Sequence, residues 1–420
     1  MRKIIITLIL CLSAPFTVFS QKPIKDLKPT VILISLDGFR YDYLDKYKPK
    51  VLNQLAKKGV RAKWMIPSFP SKTFPNHYTI ATGLYPEHHG IIENNIYYFD
   101  SVFAMNKIEE VQNPRWWLGE PIWVTAIKQG QKSASFFFPG TETPIQGTLP
   151  TFWKHYDGKI PNTERIDTIL GWLDLPQKER PTVYTLYFSD TDDGGHQGGP
   201  DSIEIQNAVR KVDGDIERLV SGLKARKIYK KVNVIIVADH GMANVNLDNA
   251  VFLDDYINLA DTERILWTNE IIQIFPKDGK EDELANQLKK ANHATCWKKS
   301  EIPERLHFND SPRIAPIICS TEEGWVTTSH DRYNAVKKKN DHGGHGYDNA
   351  LVSMRATFIA HGAAFKKGFV AEPFQNIQVY NLMCAILGLQ PAKNDGDFSV
   401  VSQMLKKPKL LPPNPSVRTK

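Results

Sequence analysis

Four segments, far apart in the chain, each place an aspartate or a histidine at the end of a run that is typical of a buried β-strand. The segments are VILISLDGF, YFSDTDDGGH, VNVIIVADHG and DHGGHGYDN, and they contain Asp37, Asp192, His196, Asp239, His240 and His345. In an open α/β sheet the strand ends meet at one edge, and ligands bind there. We therefore expect these side chains to lie close together at one edge of a sheet.

The apolar runs near these motifs predict the class of fold. They are β-branched and apolar without clean alternation, which is typical of strands that are covered on both faces, as in a parallel sheet. The runs cover residues 30–36, 182–188, 232–238 and 356–360. Stretches with helical character lie between and around them, at residues 43–58, 120–129, 202–223, 282–292 and 377–387. This alternation predicts an α/β fold, with a mostly parallel sheet and helices on both of its faces.

Two stretches interrupt the alternation. Residues 94–119 are rich in Asn, Tyr and Trp, and we expect a surface loop with a short hairpin there. Residues from about 245 to 340 contain a strand and helix pair followed by extended segments, which predicts an insertion that caps the sheet edge. We expect residues 21–405 to form one folded domain that includes this cap. Residues 406–420, with four prolines and several lysines, are typical of a flexible tail.

Residues 1–20 have the layout of a secretory signal peptide. Arg2 and Lys3 precede an apolar run, and Val18 and Ser20 flank Phe19 as in a cleavage site. The run is shorter than the roughly 20 apolar residues that a membrane-spanning helix needs. We therefore expect an exported protein, periplasmic or secreted, without a membrane span after cleavage. An uncleaved anchor is the alternative.

The charge of the chain bears on nucleic-acid binding, and its cysteine content bears on disulfide bonds. The formal net charge is +7, and the basic residues are dispersed, so we expect no specific nucleic-acid partner. Cys296, Cys319 and Cys384 lie beyond the predicted signal peptide, and an odd number excludes a full disulfide framework. Cys296 and Cys319 either form a disulfide or remain free thiols, and the sequence leaves both possibilities open. It also leaves the oligomeric state open.

Metal binding is the chemistry that the aspartates and histidines favour together. Asp192 and His196 are four residues apart, and we expect Gly194 and Gly195 to let the chain turn tightly between them. With His345 they offer three ligands to one metal ion. Imidazole and carboxylate ligands suit Zn²⁺. Any one such residue alone is more often a helix cap or a structural histidine, so the prediction depends on the whole set.

A second metal ion is predicted from the remaining residues. Asp239 and His240 are adjacent, and side chains of adjacent strand residues point to opposite faces. Both can bind one ion only if the strand has ended there, and Gly241 makes such a turn plausible. Together with Asp37 they give three ligands. We therefore predict two Zn²⁺ per chain.

Thr73, in the segment PSKTFPNHY, is the candidate nucleophile. A threonine hydroxyl needs a base or a metal ion to become reactive, and a nearby zinc ion would lower its pKa. We expect a helix to begin around Phe74 and Pro75, so that its free N–H groups face the same anionic centre. The alternative is that Thr73 only caps this helix.

Several segments together resemble the nucleotide pyrophosphatase/phosphodiesterase family of the alkaline phosphatase superfamily, in its compact bacterial form. They are TFPNHYTIATGLYPEHHGIIENN, EPIWVTA, YFSDTDDGGHQGGP, VADHGM and HGYDN, and the resemblance covers about residues 28–390. It implies an alkaline-phosphatase-like core, two zinc ions and a threonine nucleophile. By motif, the first zinc would be held by Asp192, His196 and His345, and the second would be surrounded by Asp37, Asp239, His240 and the Thr73 oxygen. His342 competes with His345, but the match of HGYDN favours His345.

The resemblance also implies residues that contact the substrate. Asn94 matches the asparagine that donates a hydrogen bond to a phosphoryl oxygen, and a neutral donor suits a diester better than a monoester. Phe74 and Tyr156 match the residues that stack on the base. The family usually has a proline where Thr191 stands, which leaves open which aspartate of the segment binds metal.

We therefore expect an enzyme that hydrolyses phosphodiester or pyrophosphate bonds of nucleotides through a phosphothreonine intermediate and releases nucleoside monophosphates. A phosphodiesterase for choline-type phospholipid headgroups and a phosphomonoesterase on the same core are the alternatives. A sulfatase is disfavoured because the sequence has no C-x-P-x-R or S-x-P-x-R motif. The partner is a small-molecule phosphodiester, whose identity the sequence leaves open.

Overall fold

The structure is a computed structural model, and it describes residues 22–336 and 342–408. The predicted signal peptide and residues 409–420 of the predicted tail lie outside these residues.

The described strands are numbered in chain order. They are β1 (Val31–Leu36), β2 (Val60–Ala62), β3 (Met65–Ile66), β4 (Asn95–Tyr98), β5 (Ser101–Ala104), β6 (Ser133–Phe136), β7 (Phe152–Lys154), β8 (Val183–Phe188), β9 (Asn233–Val237), β10 (Ala243–Asn244), β11 (Ala250–Phe252), β12 (Thr262–Trp267), β13 (Ile271–Pro276), β14 (Ala294–Lys298), β15 (Ile317–Thr321), β16 (Val326–Thr328), β17 (Gly343–Gly344), β18 (Phe358–His361), β19 (Phe369–Ala371) and β20 (Phe374–Gln375).

The described α-helices are numbered in the same way. They are α1 (Tyr43–Lys46), α2 (Lys50–Lys58), α3 (Thr73–Thr82), α4 (Pro86–His89), α5 (Ile108–Val111), α6 (Ile122–Lys128), α7 (Asn162–Leu173), α8 (Asp190–Gly198), α9 (Ile203–Ala225), α10 (Glu281–Leu288), α11 (His330–Val336), α12 (Gln378–Leu387) and α13 (Phe398–Ser402). Among these described helices, none combines the length and the apolar character that crossing a bilayer requires.

An eight-stranded sheet forms the centre of the fold, in the order β19-β2-β18-β9-β1-β8-β6-β7. β1 lies between β8 and β9 and is parallel to both, and β6 is parallel to β7 and β8. β18 is antiparallel to β2 and β9. Every residue of β1 is buried, because helices cover the sheet, and this explains why the run lacks alternation. The predicted α/β fold with a mostly parallel sheet is confirmed.

The helix predicted for residues 43–58 is wrong in its middle. The structure has two helices there, α1 and α2, separated by a break at Lys48, whose φ is 51°. Pro49 directly follows and forms the N-cap of α2. A proline has no N–H to donate and disfavours the helical conformation in the residue before it, so the chain bends here.

A second sheet lies within the predicted insertion. It is antiparallel with the strand order β12-β13-β15-β14, and α10 packs on it to form a small separate core. The extended segments of the prediction contain β14 and β15 of this sheet and also β16, which pairs with β11 in a separate sheet. Cys296 on β14 and Cys319 on β15 form a disulfide, which answers the question that the sequence left open. The predicted short hairpin in residues 94–119 is formed by β4 and β5.

Candidate active site

Three neighbouring parallel strands deliver most of the predicted site residues. Asp37 follows the end of β1, and Asp239 and His240 follow the end of β9. β8 leads directly into α8, which carries Asp192 and His196. Because β8, β1 and β9 are adjacent and parallel, their carboxyl ends meet at one edge of the sheet, as the sequence predicted.

The predicted tight turn between Asp192 and His196 is wrong. Both residues lie on α8, one helical turn apart, so that their side chains share a face of the helix. The glycines between them serve close packing instead. A Cβ on Gly195 would lie 2.7 Å from the Cε atom of Met242, and one on Gly194 would lie 3.1 Å from the carbonyl oxygen of Glu204.

His345 reaches the site by a different route from the predicted one. It follows β17, a two-residue strand that pairs with β10 outside the central sheet. The segment that carries His345 thus lies outside the central sheet and places the histidine 3.6 Å from Asp192. His342, its competitor in the sequence, is exposed and lies in none of the potential metal-binding groups among the described residues.

The side chains form overlapping groups that could hold metal ions. The ligand atoms of Asp192, His196 and His345 all lie within 4.8 Å of one another, and so do those of Asp37, Asp192 and His240. Asp192 belongs to both groups, so the two groups are adjacent. His345 of the first group and His240 of the second stack on each other, with ring centroids 3.6 Å apart.

Four distances describe the contacts between imidazoles and carboxylates. Nε2 of His240 lies 2.9 Å from Oδ2 of Asp239 and 3.4 Å from Oδ1 of Asp37. Around Asp192, Nε2 of His196 lies 3.5 Å from Oδ2, and Nε2 of His345 lies 3.6 Å from Oδ1. Each histidine thus turns the same nitrogen toward the carboxylates.

Backbone carbonyls fix the orientation of these three imidazoles. Nδ1 of each ring lies at hydrogen-bond distance from a carbonyl oxygen, which only an N–H at Nδ1 can satisfy. The pairs are His196 with Gly343 at 2.8 Å, His240 with Gly241 at 2.8 Å, and His345 with Ser71 at 2.9 Å. When the ring is neutral, the lone pair is then on Nε2, the nitrogen that faces the carboxylates. This is the usual arrangement of histidines that bind metal.

The carboxylates of the site are crowded and incompletely satisfied. Asp37 Oδ1, Asp192 Oδ1 and Asp239 Oδ2 are buried without a hydrogen-bond partner. Burial and the nearby charges of Asp239 and Asp192 raise the pKa of Asp37 well above its usual range. Burial also works against ionisation of Asp239, but His240 and His77 outweigh it and lower its pKa to about 2. Divalent cations would neutralise such a cluster, and imidazole and carboxylate donors without a thiolate fit zinc.

His77 is a neighbour of the site that the sequence analysis missed. Its Nδ1 lies 3.4 Å from Oδ2 of Asp239, and the two residues form a further potential group with Asp37. Both ring nitrogens already have partners, however, since Nε2 lies 2.8 Å from Oγ of Ser35 and Nδ1 lies 2.8 Å from the Thr73 carbonyl oxygen. The signal was its position in NHY, one helical turn after Thr73. His77 therefore packs beside Asp239, with both of its ring nitrogens already engaged by protein partners.

The structure also separates the three aspartates of the segment DTDD. Asp190 accepts a hydrogen bond from Asn162, and Asp193 accepts one from Ser189. Asp192 alone of the three belongs to a potential metal-binding group. Thr191, which stands where a proline was expected, donates its hydroxyl to the Asp37 carbonyl oxygen and so ties α8 to the end of β1.

Thr73 is the first residue of α3, and its hydroxyl faces the histidines. Oγ1 lies 3.4 Å from Nε2 of His240. Lys72, not Thr73, occupies the N-cap position, and it makes no capping hydrogen bond with its side chain. The alternative of a capping role for Thr73 is thus not supported by the position of the residue.

Asn94 lies directly beside the start of α3. Its Oδ1 accepts a hydrogen bond from the backbone N–H of Phe74 at 2.9 Å. Because the amide oxygen is used in this way, the two hydrogens on Nδ2 remain for another acceptor. Asn94 is 8% exposed, so it presents these donors from a largely buried position.

The two predicted aromatic residues lie at the site on different elements. Phe74 on α3 is half-buried, and its ring centroid lies 5.8 Å from that of Phe103 and 6.1 Å from that of Trp117. Tyr156, in the loop after β7, is 56% exposed, and its ring lies 6.3 Å from that of Tyr187. Tyr187 in turn donates its hydroxyl to Oδ2 of Asp37 at 2.6 Å. Tyr156 is therefore one ring removed from the acidic cluster.

The eight-stranded sheet, with aspartates and histidines clustered at the ends of its strands, defines a protein with an alkaline-phosphatase-like α/β fold. The family model described as Type I phosphodiesterase / nucleotide pyrophosphatase matches residues 31–348, and the chain belongs to this family. The family expected from the motifs is thereby confirmed.

Curated relatives of the chain include animal proteins. The ectonucleotide pyrophosphatase/phosphodiesterase family member 3 of Rattus norvegicus is 40% identical over 396 residues, which is 91% of this chain and 44% of that protein. Family member 1 of Homo sapiens is 39% identical over 401 residues, with 92% and 43% covered. Venom phosphodiesterase 2 of Crotalus adamanteus is 38% identical over 407 residues, with 94% and 49% covered. The chain thus spans about half the length of these relatives.

Solved structures of related proteins match this chain over their whole length. Human ectonucleotide pyrophosphatase / phosphodiesterase 5 superposes with a TM-score of 0.85 at 34% identity, covering 90% of this chain and 100% of that one. An inactive threonine-to-alanine variant of the murine protein, in complex with AMP, gives a TM-score of 0.84 at 33% identity over the same shares.

Proposed function

We propose that this protein hydrolyses phosphodiester and pyrophosphate bonds of nucleotide derivatives, with Thr73 as nucleophile and two zinc ions as cofactors. The observation that carries the proposal is the position of the Thr73 hydroxyl, 3.4 Å from Nε2 of His240, beside buried carboxylate oxygens that lack hydrogen-bond partners. The family of the chain and the names of its relatives support the same class of reaction.

The ligands divide into two sets in this proposal. Asp192, His196 and His345 would hold one zinc ion, and Asp37, Asp239, His240 and the Thr73 oxygen would surround the other. Zinc supplies positive charge, which lowers the pKa of a bound hydroxyl or water and stabilises the charge that develops in the transition state.

The residues of the chain perform the remaining work. The hydroxyl of Thr73 loses its proton to water, and Oγ1 attacks phosphorus. The bond from phosphorus to the leaving oxygen breaks, this oxygen takes up a proton from water, and a nucleoside monophosphate remains covalently attached to Thr73. Water then cleaves the bond between Thr73 and phosphorus, which restores the hydroxyl and releases a nucleoside monophosphate. Nδ2 of Asn94 donates to a non-bridging phosphoryl oxygen, because its Oδ1 is held by the N–H of Phe74.

The base is held by aromatic side chains in this proposal. Phe74 follows the nucleophile directly, and Tyr156 lies beside the Tyr187–Asp37 hydrogen bond. The murine variant solved with AMP supports a nucleoside monophosphate as the group that such a site accommodates. Stacking on one ring contributes about 1–3 kcal/mol.

We further propose that the protein is exported. The relatives are named as ectoenzymes and venom enzymes. The disulfide between Cys296 and Cys319 fits an oxidising compartment, because such bonds seldom persist in the cytosol. Fractionation of cells that express the full-length chain tests this, and a protein found only in the cytosol would contradict it.

One comparison of substrates tests the reaction class. Purified, zinc-loaded protein is given the nitrophenyl ester of TMP, nitrophenyl phosphate and glycerophosphocholine under one condition, and kcat/KM is measured for each. We expect the TMP ester to be the best substrate by a wide margin. If nitrophenyl phosphate is preferred, the protein is a phosphomonoesterase. If glycerophosphocholine is preferred, it is a headgroup phosphodiesterase.

A further inference from the structure

Three ionisable side chains form a buried cluster beside the active site that the proposed reaction does not use. Lys72, Glu93 and Glu270 are 7%, 0% and 4% exposed. Nζ of Lys72 lies 2.5 Å from Oε2 of Glu270, and it also donates to the carbonyl oxygen of Thr268 at 3.2 Å. Oε2 of Glu93 accepts the N–H of Asn95 at 2.7 Å, and burial raises its pKa to about 7.

The Lys72–Glu270 pair borders two parts of the site. Lys72 directly precedes Thr73 and forms the N-cap position of α3. The pair also packs against the backbone on both sides of His345. A Cβ on Gly344 would lie 2.6 Å from Oε1 of Glu270, and one on Gly346 would lie 2.4 Å from Cε of Lys72. Only glycine allows the two side chains to approach this backbone so closely.

Glu270 comes from the second sheet, not from the central one. It lies in the turn between β12 and β13, where Asn269 adopts a φ of 67°, a conformation that asparagine tolerates better than most residues. The backbone of the turn is held in place, because Thr321 donates its N–H to the Glu270 carbonyl oxygen at 3.0 Å. The carboxylate therefore extends from a fixed turn.

A second contact joins the same sheet to the substrate side of the site. Nε2 of Gln273 on β13 donates to the carbonyl oxygen of Asn95 at 3.1 Å. Asn95 follows Asn94, the proposed phosphoryl donor. The insertion thus contacts segments that carry Thr73, Asn94 and His345.

Stability alone does not explain a buried ion pair at this place. Removing two charges from water costs free energy that their attraction roughly offsets, and apolar replacements of similar volume are often as stable or more so. A buried pair does, however, impose a definite geometry on the segments that carry it. Orientation of the neighbouring catalytic groups is therefore the function that fits its location.

We propose that Lys72 and Glu270 are positioning residues whose ion pair holds the segments of Thr73 and His345 in place, so that the inserted sheet is part of the catalytic centre. This inference rests on the proposed function, because it assigns the pair to the reaction of Thr73. A displacement of about 1 Å at a reacting group can lower the rate about 100-fold. The pair contacts no substrate in this proposal, so its loss changes kcat and leaves KM within about threefold.

A double-mutant cycle tests the pair. Lys72→Met, Glu270→Gln and the double variant are compared on the nitrophenyl ester of TMP. We expect each single variant to lose about 100-fold in kcat, and the double variant to lose little more, since the first change already removes the pair. Independent effects, in which the two losses multiply, would overturn the proposal, and so would a wild-type kcat for Glu270→Gln.

The control is an exposed pair of the same insertion. Nζ of Lys280 lies 2.9 Å from Oε2 of Glu283 on the surface. Lys280→Met and Glu283→Gln should leave kcat unchanged. If Glu270→Gln does not fold, Glu270→Asp shortens the carboxylate arm and should lower kcat about tenfold, and a wild-type kcat for that variant would equally contradict the proposal.

Hydrogen–deuterium exchange separates this inference from the proposed function, because it needs no activity. Glu270→Gln should increase exchange in peptides that cover residues 68–77 and 343–348, and Glu283→Gln should not. Unchanged exchange in both regions would exclude the positioning role even in an active enzyme. If Glu270→Gln increases exchange but the wild-type protein has no diesterase activity, the ion pair does hold these segments, and the proposed function is wrong.

Discussion

The hydroxyl oxygen of Thr73 lies 3.4 Å from Nε2 of His240, although the two residues are 167 positions apart in the chain. His240 also contacts Asp37 and Asp239, so a single imidazole connects the candidate nucleophile with the acidic cluster.

Replacement of Thr73 by alanine should abolish turnover. The variant lacks the atom that attacks phosphorus, and the loss of a nucleophile costs about 10⁴-fold or more in kcat. Thr73→Ser keeps a hydroxyl at nearly the same place and should retain measurable activity. Mass spectrometry after rapid acid quench should find a nucleotide attached to Thr73 in the wild type. A Thr73→Ala variant that works at the normal rate would show that the residue has no chemical role.

Metal content should distinguish His240 from His77. We expect two zinc ions per wild-type chain, and loss of about one in His240→Ala, whose Nε2 faces Asp37 and Asp239. His77→Gln should keep both ions, because both nitrogens of His77 have protein partners. Elemental analysis of the purified proteins gives the counts. A strong chelator should abolish activity and Zn²⁺ should restore it, and a fully active metal-free protein would end the two-metal proposal.

Asn94 should discriminate between diesters and monoesters. Asn94→Ala removes one donor to the phosphoryl oxygen and should cost about 2–4 kcal/mol of transition-state stabilisation on the TMP ester. Asn94→Asp is the sharper test, because it retains the acceptor for the Phe74 N–H but replaces the donor with a negative charge. We expect kcat/KM to fall further in Asn94→Asp than in Asn94→Ala. The opposite order would mean that Asn94 only holds the start of α3.

Phe74 and Tyr156 should matter only for substrates that carry a base. Phe74→Ala and Tyr156→Ala should each weaken the TMP ester by about 1–3 kcal/mol in kcat/KM, the size of one stacking contact. Nitrophenyl methyl phosphate, which has no base, is the matched control and should be affected much less. Equal losses on both substrates would assign the two rings to the packing of the site.

Glu93 should make stability depend on pH. Its carboxyl has a pKa of about 7 in the fold because it is buried, against 4.5 as the ordinary value. The folded protein therefore binds this proton more tightly than the unfolded chain, and the resulting stability is present below pH 4.5 and lost as the pH rises through 7. Glu93→Gln removes the dependence, so its free energy of unfolding relative to wild type should rise by up to about 3 kcal/mol across this range. Urea unfolding of the metal-loaded proteins at both pH values measures it, with the exposed Glu283→Gln as control.

Local patterns in the sequence determined the general fold and most candidate residues. The uninterrupted apolar character of β1, β8 and β9 reflects strands that are covered on both faces, and the helical stretches between them fixed the alternation. Each strand is followed within a few residues by its polar residues. Since parallel strands end at one edge, the gathering of Asp37, Asp192, Asp239 and His240 could be predicted from their positions just after strand ends.

Local sequence patterns did not predict details that depend on contacts between residues far apart in the chain. The spacing of Asp192 and His196 fits a turn as well as a helix, and only the structure shows that α8 begins at Asp190. Lys48 lies outside the helical region because of the proline after it, a signal that was present in the sequence and was overlooked. The role of His77 was hidden, because its partners Ser35 and Asp239 lie far from it in sequence.

The sequence by itself determined which chemical groups the site contains, because the period of apolar residues specifies each strand and helix and hence the edge where they end. The tertiary structure decided how those groups are held. The second sheet brings Glu270 to Lys72 across 198 positions, and no local pattern encodes a contact between such distant segments. Its geometry arises only when the two sheets pack together, since a buried charge is tolerated only where the fold supplies its partner.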